Sequence, residues 1–335
     1  MKAIVYTRHG LPIENPESLV DMELPDPTPG PRDVLVRVHA VSVNPVDTKV
    51  RRGAAVTGPR VLGWDAAGIV EAVGAEVTAF QPGDEVYYAG SLTRPGSYSE
   101  LHLVDERIVG HKPKTLAFSD AAALPLTSLT AWELLFDRLK VPEQGGHGRV
   151  MVVIGAAGGV GSILTQLARK LTGVTVIGTA SRPETAEWVR AAGAHEVIDH
   201  SKAMKPQLQA LGHEFADIVI SLTHTDHHYP DIVEMLAPQG QFALIDDPAT
   251  LDAMPLKRKS ISLHWELMFT RSMYETADMV RQREILDRVA SLVDMGALKT
   301  TVGEHLGKID AANLRRAHAI IEGGRARGKI VLAGF

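Results

Sequence analysis

The chain has 335 residues, long enough for two domains, with 45% hydrophobic and 22% charged side chains, the proportions of a water-soluble globular protein. Its net charge of −5 gives no overall electrostatic footprint for nucleic acid or an anionic membrane. It contains no cysteine, which excludes disulfides, a thiol nucleophile and thiolate metal ligands. The opening MKAIVYTRHG does not read as a secretory signal, and no apolar run approaches the roughly 18–20 residues of a bilayer span, so a cytoplasmic location is expected.

Taken in order, residues 1–125 are β-rich. MKAIVYT, SLVDMEL, DVLVRVHAVSV, AGIVEAVG, DEVYYAG and SYSELHLV are short and rich in Val, Ile or Tyr, and turn signals such as PDPTPGPRD, QPGDE and TRPGS separate them. NPVDTKVRRG breaks this texture. Asn44 followed by Pro predicts a short helix that Gly53 can end. Residues 127–138 then predict an amphipathic helix, and PEQGGHGR a polar connection.

From 149 to about 246, strand and helix alternate. VMVVIG, VTVIGTA, HEVIDH, ADIVISL and GQFALID are the strands, and GVGSILTQLARKLT, ETAEWVRAAG (ending at Gly193) and DIVEMLAP the helices. Near-continuous apolar strands joined by helices predict a parallel sheet covered on both faces. A strand over 261–269, a long helix over about 275–295, a shorter helix in DAANLRRAHAIIEGG and a last strand in KIVLAGF complete the chain.

The strand VMVVIG runs into GAAGGVG. Gly155, Ala156, Gly158, Gly159, Val160 and Gly161 form a dinucleotide turn with Ala at its first small position. Gly158 admits a pyrophosphate to the backbone, Gly161 lets helix pack on strand, and the helix N-terminus offers N–H groups to phosphate. An NAD-specific site usually has a carboxylate about 20 residues on, for the ribose 2′-hydroxyl. Here the second strand ends Thr179, Ala180, Ser181, Arg182. A hydroxyl and a guanidinium suit a 2′-phosphate, so the expected cofactor is NADPH. His200, closing the third strand, is a candidate neighbour of the adenosine phosphates.

SVNPVDTKVRRG (42–53), VLGWDAAGIVEAVGAEVTAFQPGDEVY (61–87), AAALPLTSLTAWELL (121–135), the glycine turn and RGKIVLAGF (327–335) together resemble the medium-chain dehydrogenase/reductase superfamily, specifically its zinc-free quinone oxidoreductase branch. PLKRKSISLHWELMFTRSMYETADM resembles a subgroup labelled zinc-type alcohol dehydrogenase-like. The resemblance implies an α/β protein: a β-rich GroES-like catalytic domain over 1–125, a Rossmann doubly wound parallel-sheet NADP-binding domain over 126–269, and a return to the catalytic domain over 270–335. Zinc members of the superfamily hold metal with a Cys-His-Cys set. Here the first cysteine's region reads NPVD, and the GHE-like motif reads GWD, with Trp64 in the histidine's place and Asp65 free to hold backbone or a basic side chain. No metal is therefore expected. THTDHHYP, with His224, His227 and His228, reads either as three imidazoles on one helical face or as a polar loop with Asp226 capping the next helix.

The implied activity is NADPH-dependent reduction of quinones or α,β-unsaturated carbonyls, small-molecule acceptors electrophilic enough to take hydride without a Lewis acid. The resemblance places Asn44, Asp47 and Lys49 beside nicotinamide and substrate. Asn44 would donate to the developing oxyanion or a ribose, Asp47 would orient Lys49 or a ribose hydroxyl, and Lys49 would supply charge or relay a proton. Thr130 and Lys329 match residues near the cofactor. Leu222 and Thr223 end one strand and Ile245 another, where open α/β sheets bind ligands, and Phe269 follows the last Rossmann strand as a cleft gate. Trp64 and Tyr88 are read as core or as an apolar wall. Two alternatives stay open: a zinc-dependent alcohol dehydrogenase with atypical ligands, and a cofactor-binding protein with little turnover. ISLHWELMF offers a self-pairing edge, and a homodimer is expected.

Overall fold

The computed structural model describes all 335 residues, which divide into two compact units: Met1–Leu129 with Phe269–Phe335, and Thr130–Met268. In the first stretch the strands are β1 (Lys2–Tyr6), β2 (Val20–Glu23), β3 (Asp33–Val43), β4 (Arg60–Val61), β5 (Ala66–Val73), β6 (Glu85–Tyr88), β7 (Leu101–Asp105) and β8 (Val109–His111). Helices α1 (Pro45–Gly53), α2 (Phe118–Ala122) and α3 (Pro125–Trp132) accompany them. The middle stretch alternates β9 (Val150–Ile154), α4 (Gly159–Leu171), β10 (Thr175–Thr179), α5 (Pro183–Ala191), β11 (Glu196–Ile198), α6 (Met204–Ala210), β12 (Ala216–Ser221), α7 (Thr225–Met235), β13 (Leu236–Leu244), α8 (Met254–Lys257) and β14 (Ser262–Trp265). The chain closes with α9 (Thr270–Tyr274), α10 (Arg281–Asp294), β15 (Val302–His305), α11 (Ala311–Glu322) and β16 (Lys329–Ala333).

The first unit carries a small antiparallel sheet, β2-β1-β4, and a larger one ordered β15-β16-β3-β5-β6-β8, with β7 also paired to β3. β3 is its spine: its Val side chains at 34, 36, 38 and 41 are buried, and β16, β5 and β7 all pair with it antiparallel. The last strand of the chain thus joins the first domain, Ile330 opposite Val43 and Leu332 opposite Val41.

The second unit is a wholly parallel sheet, β11-β10-β9-β12-β13-β14. This is the doubly wound dinucleotide-binding order, and its direction reverses between β9 and β12. β9 is central and entirely buried, as the unbroken run VMVVI requires.

Several expected elements differ in extent. The residues of 127–138 form α3 and then a π-helix over Glu133–Arg138, and Thr127–Leu135 are buried on all sides rather than along one stripe. The polar Thr127 is accommodated because its hydroxyl donates back to the carbonyls of Ala123 and Leu124. The division between units falls inside this helix, after Leu129, because its first turn is tied to the first unit by the Leu126 N–H donating to Asp65. The long helix expected from 275 begins at Arg281. Asp278 accepts from the Thr276 hydroxyl and from Arg271 Nε, and Glu275 turns left-handed at φ 45°, so the chain folds back before the helix starts. The strand expected over 261–269 ends at Trp265. Helix α6 has no counterpart in the sequence reading, although Met204, Leu208 and Leu211 carry the i, i+4, i+7 spacing. Helix α7 begins at Thr225, not near 231, and contains Pro230. Its start is held by the Asp246 carboxylate, which accepts the Thr225 N–H at 2.9 Å, so the Asp226 cap does not form. No helix is long and apolar enough to cross a membrane.

Candidate active site

In the second unit the glycine turn has the shape that a pyrophosphate needs. Gly155 has φ 81°, a left-handed backbone that a side chain would strain, and a Cβ there would meet Thr223 Cγ2 at 3.0 Å. At Gly161 a Cβ would lie 2.5 Å from Ala156 Cα and from the Gly155 carbonyl, so only glycine lets α4 sit this close to β9. At Gly158 a Cβ would meet nothing nearer than 3.4 Å, leaving open backbone at the head of α4. The first N–H groups of α4, on Gly159, Val160 and Gly161, point out of the helix end with its positive dipole. The residues present therefore fit a dinucleotide.

Around this turn lie the ends of the neighbouring strands. Thr179 closes β10 and is buried; its hydroxyl accepts the Gly155 N–H at 3.3 Å and lies 3.0 Å from His200 Nδ1. Ser181 and Arg182 follow, both exposed. The helix cap beyond them is Arg182, not Ser181: the Thr185 hydroxyl accepts the Arg182 N–H and donates to its carbonyl. Arg182 Nε is 3.2 Å from Glu184, an exposed pair of little strength. Leu222, Thr223 and Ile245 are half-buried at their strand ends, while Thr130 is buried in α3.

In the first unit the structure gathers residues that lie far apart in the chain. Lys329, on β16 and 3% exposed, reaches the Val43 carbonyl at 3.1 Å, Asp65 Oδ2 at 2.9 Å and Asn44 Oδ1. Asn44 Nδ2 donates to the same Asp65 oxygen at 2.8 Å and to the Trp64 carbonyl at 3.3 Å. Asp65 Oδ1 accepts the Leu126 N–H at 2.8 Å. Asp47 Oδ2 accepts the Asn44 N–H at 2.8 Å and the Tyr98 hydroxyl at 2.7 Å.

This geometry corrects three expected roles. Asn44 is 1% exposed with both ends of its amide engaged, so it is a brace and not a free donor to an oxyanion. Asp47 faces the interior, toward Tyr98, while Lys49, two residues along the same helix, is exposed on the opposite side; the carboxylate does not orient that ammonium. Phe269 is 2% exposed and packs edge-on to Trp64 at 6.4 Å between ring centroids, so its ring is packed into the first unit's core. Lys49 lines a surface cavity of about 420 Å³ with Gly10, Arg52 and Gly53. Trp64 and Tyr88 are core; Trp64 Nε1 donates to the Ser91 carbonyl. The joining of Lys329 to Asn44 and Asp65 has no signal in local sequence, because 264 residues separate the two charges.

The same geometry bears on zinc. Trp64 is committed to the core, Asp65 to Lys329 and Leu126, and no three His, Asp or Glu side chains stand together in a way that could hold a metal ion. The residues at the superfamily's metal position do not fit the ion.

Burial pushes the Asp47 carboxyl up to about 7, against the pull of its two hydrogen bonds and of Lys329. A folded-state value above the unfolded one means that the native protein holds the extra proton, so this group's contribution to stability is full below about pH 4 and is lost as pH rises through 7. Asp47→Asn is expected to flatten the fall of thermal stability between about pH 4 and 7; an unchanged profile would assign that fall elsewhere. Asp65 is also raised by burial, with Lys329 opposing. Lys329→Met leaves a buried carboxylate without its cation and is expected to cost about 3–5 kcal/mol in denaturant unfolding. Adding Asp65→Asn should recover part of that loss, and strictly additive losses would mean that the pair is not coupled.

Two family models match the chain: the alcohol dehydrogenase GroES-like domain over residues 30–114 and zinc-binding dehydrogenase over residues 192–332. A zinc-type alcohol dehydrogenase-like protein of Staphylococcus aureus is 40% identical over 311 residues, covering 91% of this chain and 92% of its own. A crystal structure from Rhizobium etli CFN 42, provisionally described as a zinc-dependent alcohol dehydrogenase, superposes with a TM-score of 0.97 at 56% identity over 100% of this chain and 98% of that one. The Escherichia coli quinone oxidoreductase complexed with NADPH superposes at 0.84 with 26% identity, over 99% and 100% of the two chains. With the sheet order, the glycine turn and the returning C-terminal strand already in place, these likenesses make the chain a member of the medium-chain dehydrogenase/reductase superfamily, oxidoreductases that work with a nicotinamide cofactor.

Proposed function

We propose that the chain is an NADPH-dependent reductase of quinones or α,β-unsaturated carbonyls that needs no catalytic metal. The observation that carries the cofactor choice is the pair Ser181 and Arg182, exposed beyond β10 and not used as a side-chain helix cap, where an NAD site would carry a carboxylate. The acceptor class follows from the donor set at the metal position. Without a Lewis acid, a conjugated acceptor is the class that takes hydride at carbon and leaves charge on an oxygen that solvent can protonate.

Within this proposal each unit has its task. The second holds the nucleotide on Gly155, Ala156, Gly158, Gly159, Val160 and Gly161, with Thr179, Leu222, Thr223 and Ile245 at the strand ends around it. In the first, Lys49 supplies positive charge at the surface. Asn44, Asp47 and Lys329 act as positioning residues that fix the turn Gly63–Asp65 and the start of α1. The enzyme works as a homodimer through β14, the edge of the parallel sheet, whose last residue, Trp265, is 51% exposed, with Leu267 just beyond it 50% exposed.

Metal-stripped protein is expected to oxidise NADPH faster than NADH with a panel of quinones and enones, and to leave a simple aldehyde unreduced. Arg182→Ala should raise the KM for NADPH about tenfold while leaving that for NADH nearly unchanged. Turnover of the aldehyde alone, restored by added zinc, would overturn the proposal. Sedimentation at micromolar concentration should show a dimer, which Trp265→Glu dissociates; a monomeric parent protein would remove the edge-strand assignment.

A further inference from the structure

Helix α1 turns Lys49 and Arg52 outward and Arg51 inward. The inward residue is 1% exposed and ties three parts of the first unit together. Its Nη2 donates to Glu322 Oε1 on α11 at 2.5 Å, and its Nη1 donates to the Leu11 carbonyl at 2.6 Å. Its own carbonyl accepts the Gly10 N–H at 3.3 Å. The loop at Gly10 and Leu11 is thus clamped to the end of α1 by both the backbone and the side chain of one buried residue. Gly10 suits this place because it is left-handed at φ 76°, and a Cβ on it would lie 3.7 Å from the Arg52 carbonyl.

The clamped loop and the outer side of α1 enclose the cavity of about 420 Å³ lined by Gly10, Lys49, Arg52 and Gly53. Its two charged side chains are both cationic. Arg52 forms no ion pair, because Glu322 is spent on Arg51 and Glu17 on Arg8. The dipole of α1 accounts for cations in its last turn. It does not account for a loop fixed opposite them by a buried guanidinium. An ammonium and a guanidinium on one cavity wall match one class of group, a carboxylate, which the guanidinium can take in two parallel hydrogen bonds.

We propose that this cavity binds a carboxylate carried by the acceptor, so that the preferred substrates are acidic enones or quinones rather than neutral ones. The inference rests on the reductase reading and adds a substrate class to it. Lys49 and Arg52 hold the carboxylate, and Arg51 keeps the opposing wall in place. In a 4-oxo-2-enoate the carbon β to the ketone accepts the hydride, the electron pair of the double bond moves to the ketone oxygen, and a solvent proton on the α-carbon completes the saturated 4-oxo acid.

The test titrates 4-oxopentanoate, the saturated acid, and its methyl ester into cofactor-free full-length protein, followed by ligand NMR line broadening. The acid is expected to bind about tenfold more tightly than the ester, with the difference shrinking at high salt. Arg52→Ala should remove that preference. At Gly53 a Cβ would meet nothing within 4 Å and the backbone is not left-handed, so Gly53→Leu adds bulk at the cavity while keeping both cations. It should weaken the acid about tenfold, and thermal melting reports that both variants are folded. Three results overturn the proposal: an ester that binds as well as the acid, an acid preference that survives in Arg52→Ala, or inorganic sulfate that displaces the acid as well as free acid does, the mark of an indiscriminate anion patch. In turnover with NADPH, trans-4-oxo-2-pentenoate should have a KM about tenfold below that of its methyl ester, although the ester is the more electrophilic. Equal KM values leave the reductase reading standing and remove the acidic-acceptor class. Selective binding of the acid with no NADPH oxidation by either enone overturns the reductase reading, and the acceptor role of the cavity falls with it.

Discussion

One buried ammonium holds the first unit together. Lys329 is brought to the interior on a central strand, and its three contacts join β16, the end of β3 and the turn before β5. A lone cation at that depth would be too costly to keep, so Asp65 and Asn44 are obligatory companions. Asp65 in turn anchors the first turn of α3 through Leu126. The position of α1, the Gly63–Asp65 turn and the start of α3 therefore all follow from one ion pair and its amide bridge.

That constraint explains a chemical feature of the chain. At the place where zinc members of the superfamily keep ligands, this sequence puts an aromatic core residue and a carboxylate. The carboxylate does not wait for a metal, because a protein cation already occupies its oxygen. The local electrostatic problem of a buried acidic residue is thus solved with a lysine side chain.

Much of the fold was legible from sequence because its signals are local. VMVVI is apolar without interruption and is the buried central strand; NPVDTKVRRG carries Pro and Gly at the helix ends where they are observed; GAAGGVG has glycine where backbone meets backbone. The errors came where distant groups decide. Asp278 takes Thr276 and Arg271 and delays α10. Asp246 takes the Thr225 N–H and starts α7 early, which turned the histidine motif from a possible loop into a helix. For the candidate site the types of residue were legible but not their orientation. Asp47 and Lys49 lie two residues apart on a helix, which already turns them to opposite sides, and only the packing of α1 against Tyr98 reveals that Asp47 is the inward one.

The division of the chain has a consequence for the order of its synthesis. The nucleotide-binding unit is one continuous stretch, Thr130–Met268, and can close as soon as it leaves the ribosome. The other unit is interrupted by it: β5 and β7 can pair with β3 early, but Ala40–Val43 at its end wait for β16. During that interval Asp65 has no ammonium beside it, because Lys329 is translated 264 residues later. A nascent chain therefore passes through a period in which its first 129 residues expose a strand edge and an uncompensated carboxylate. Chaperone demand and sensitivity to proteolysis should concentrate there.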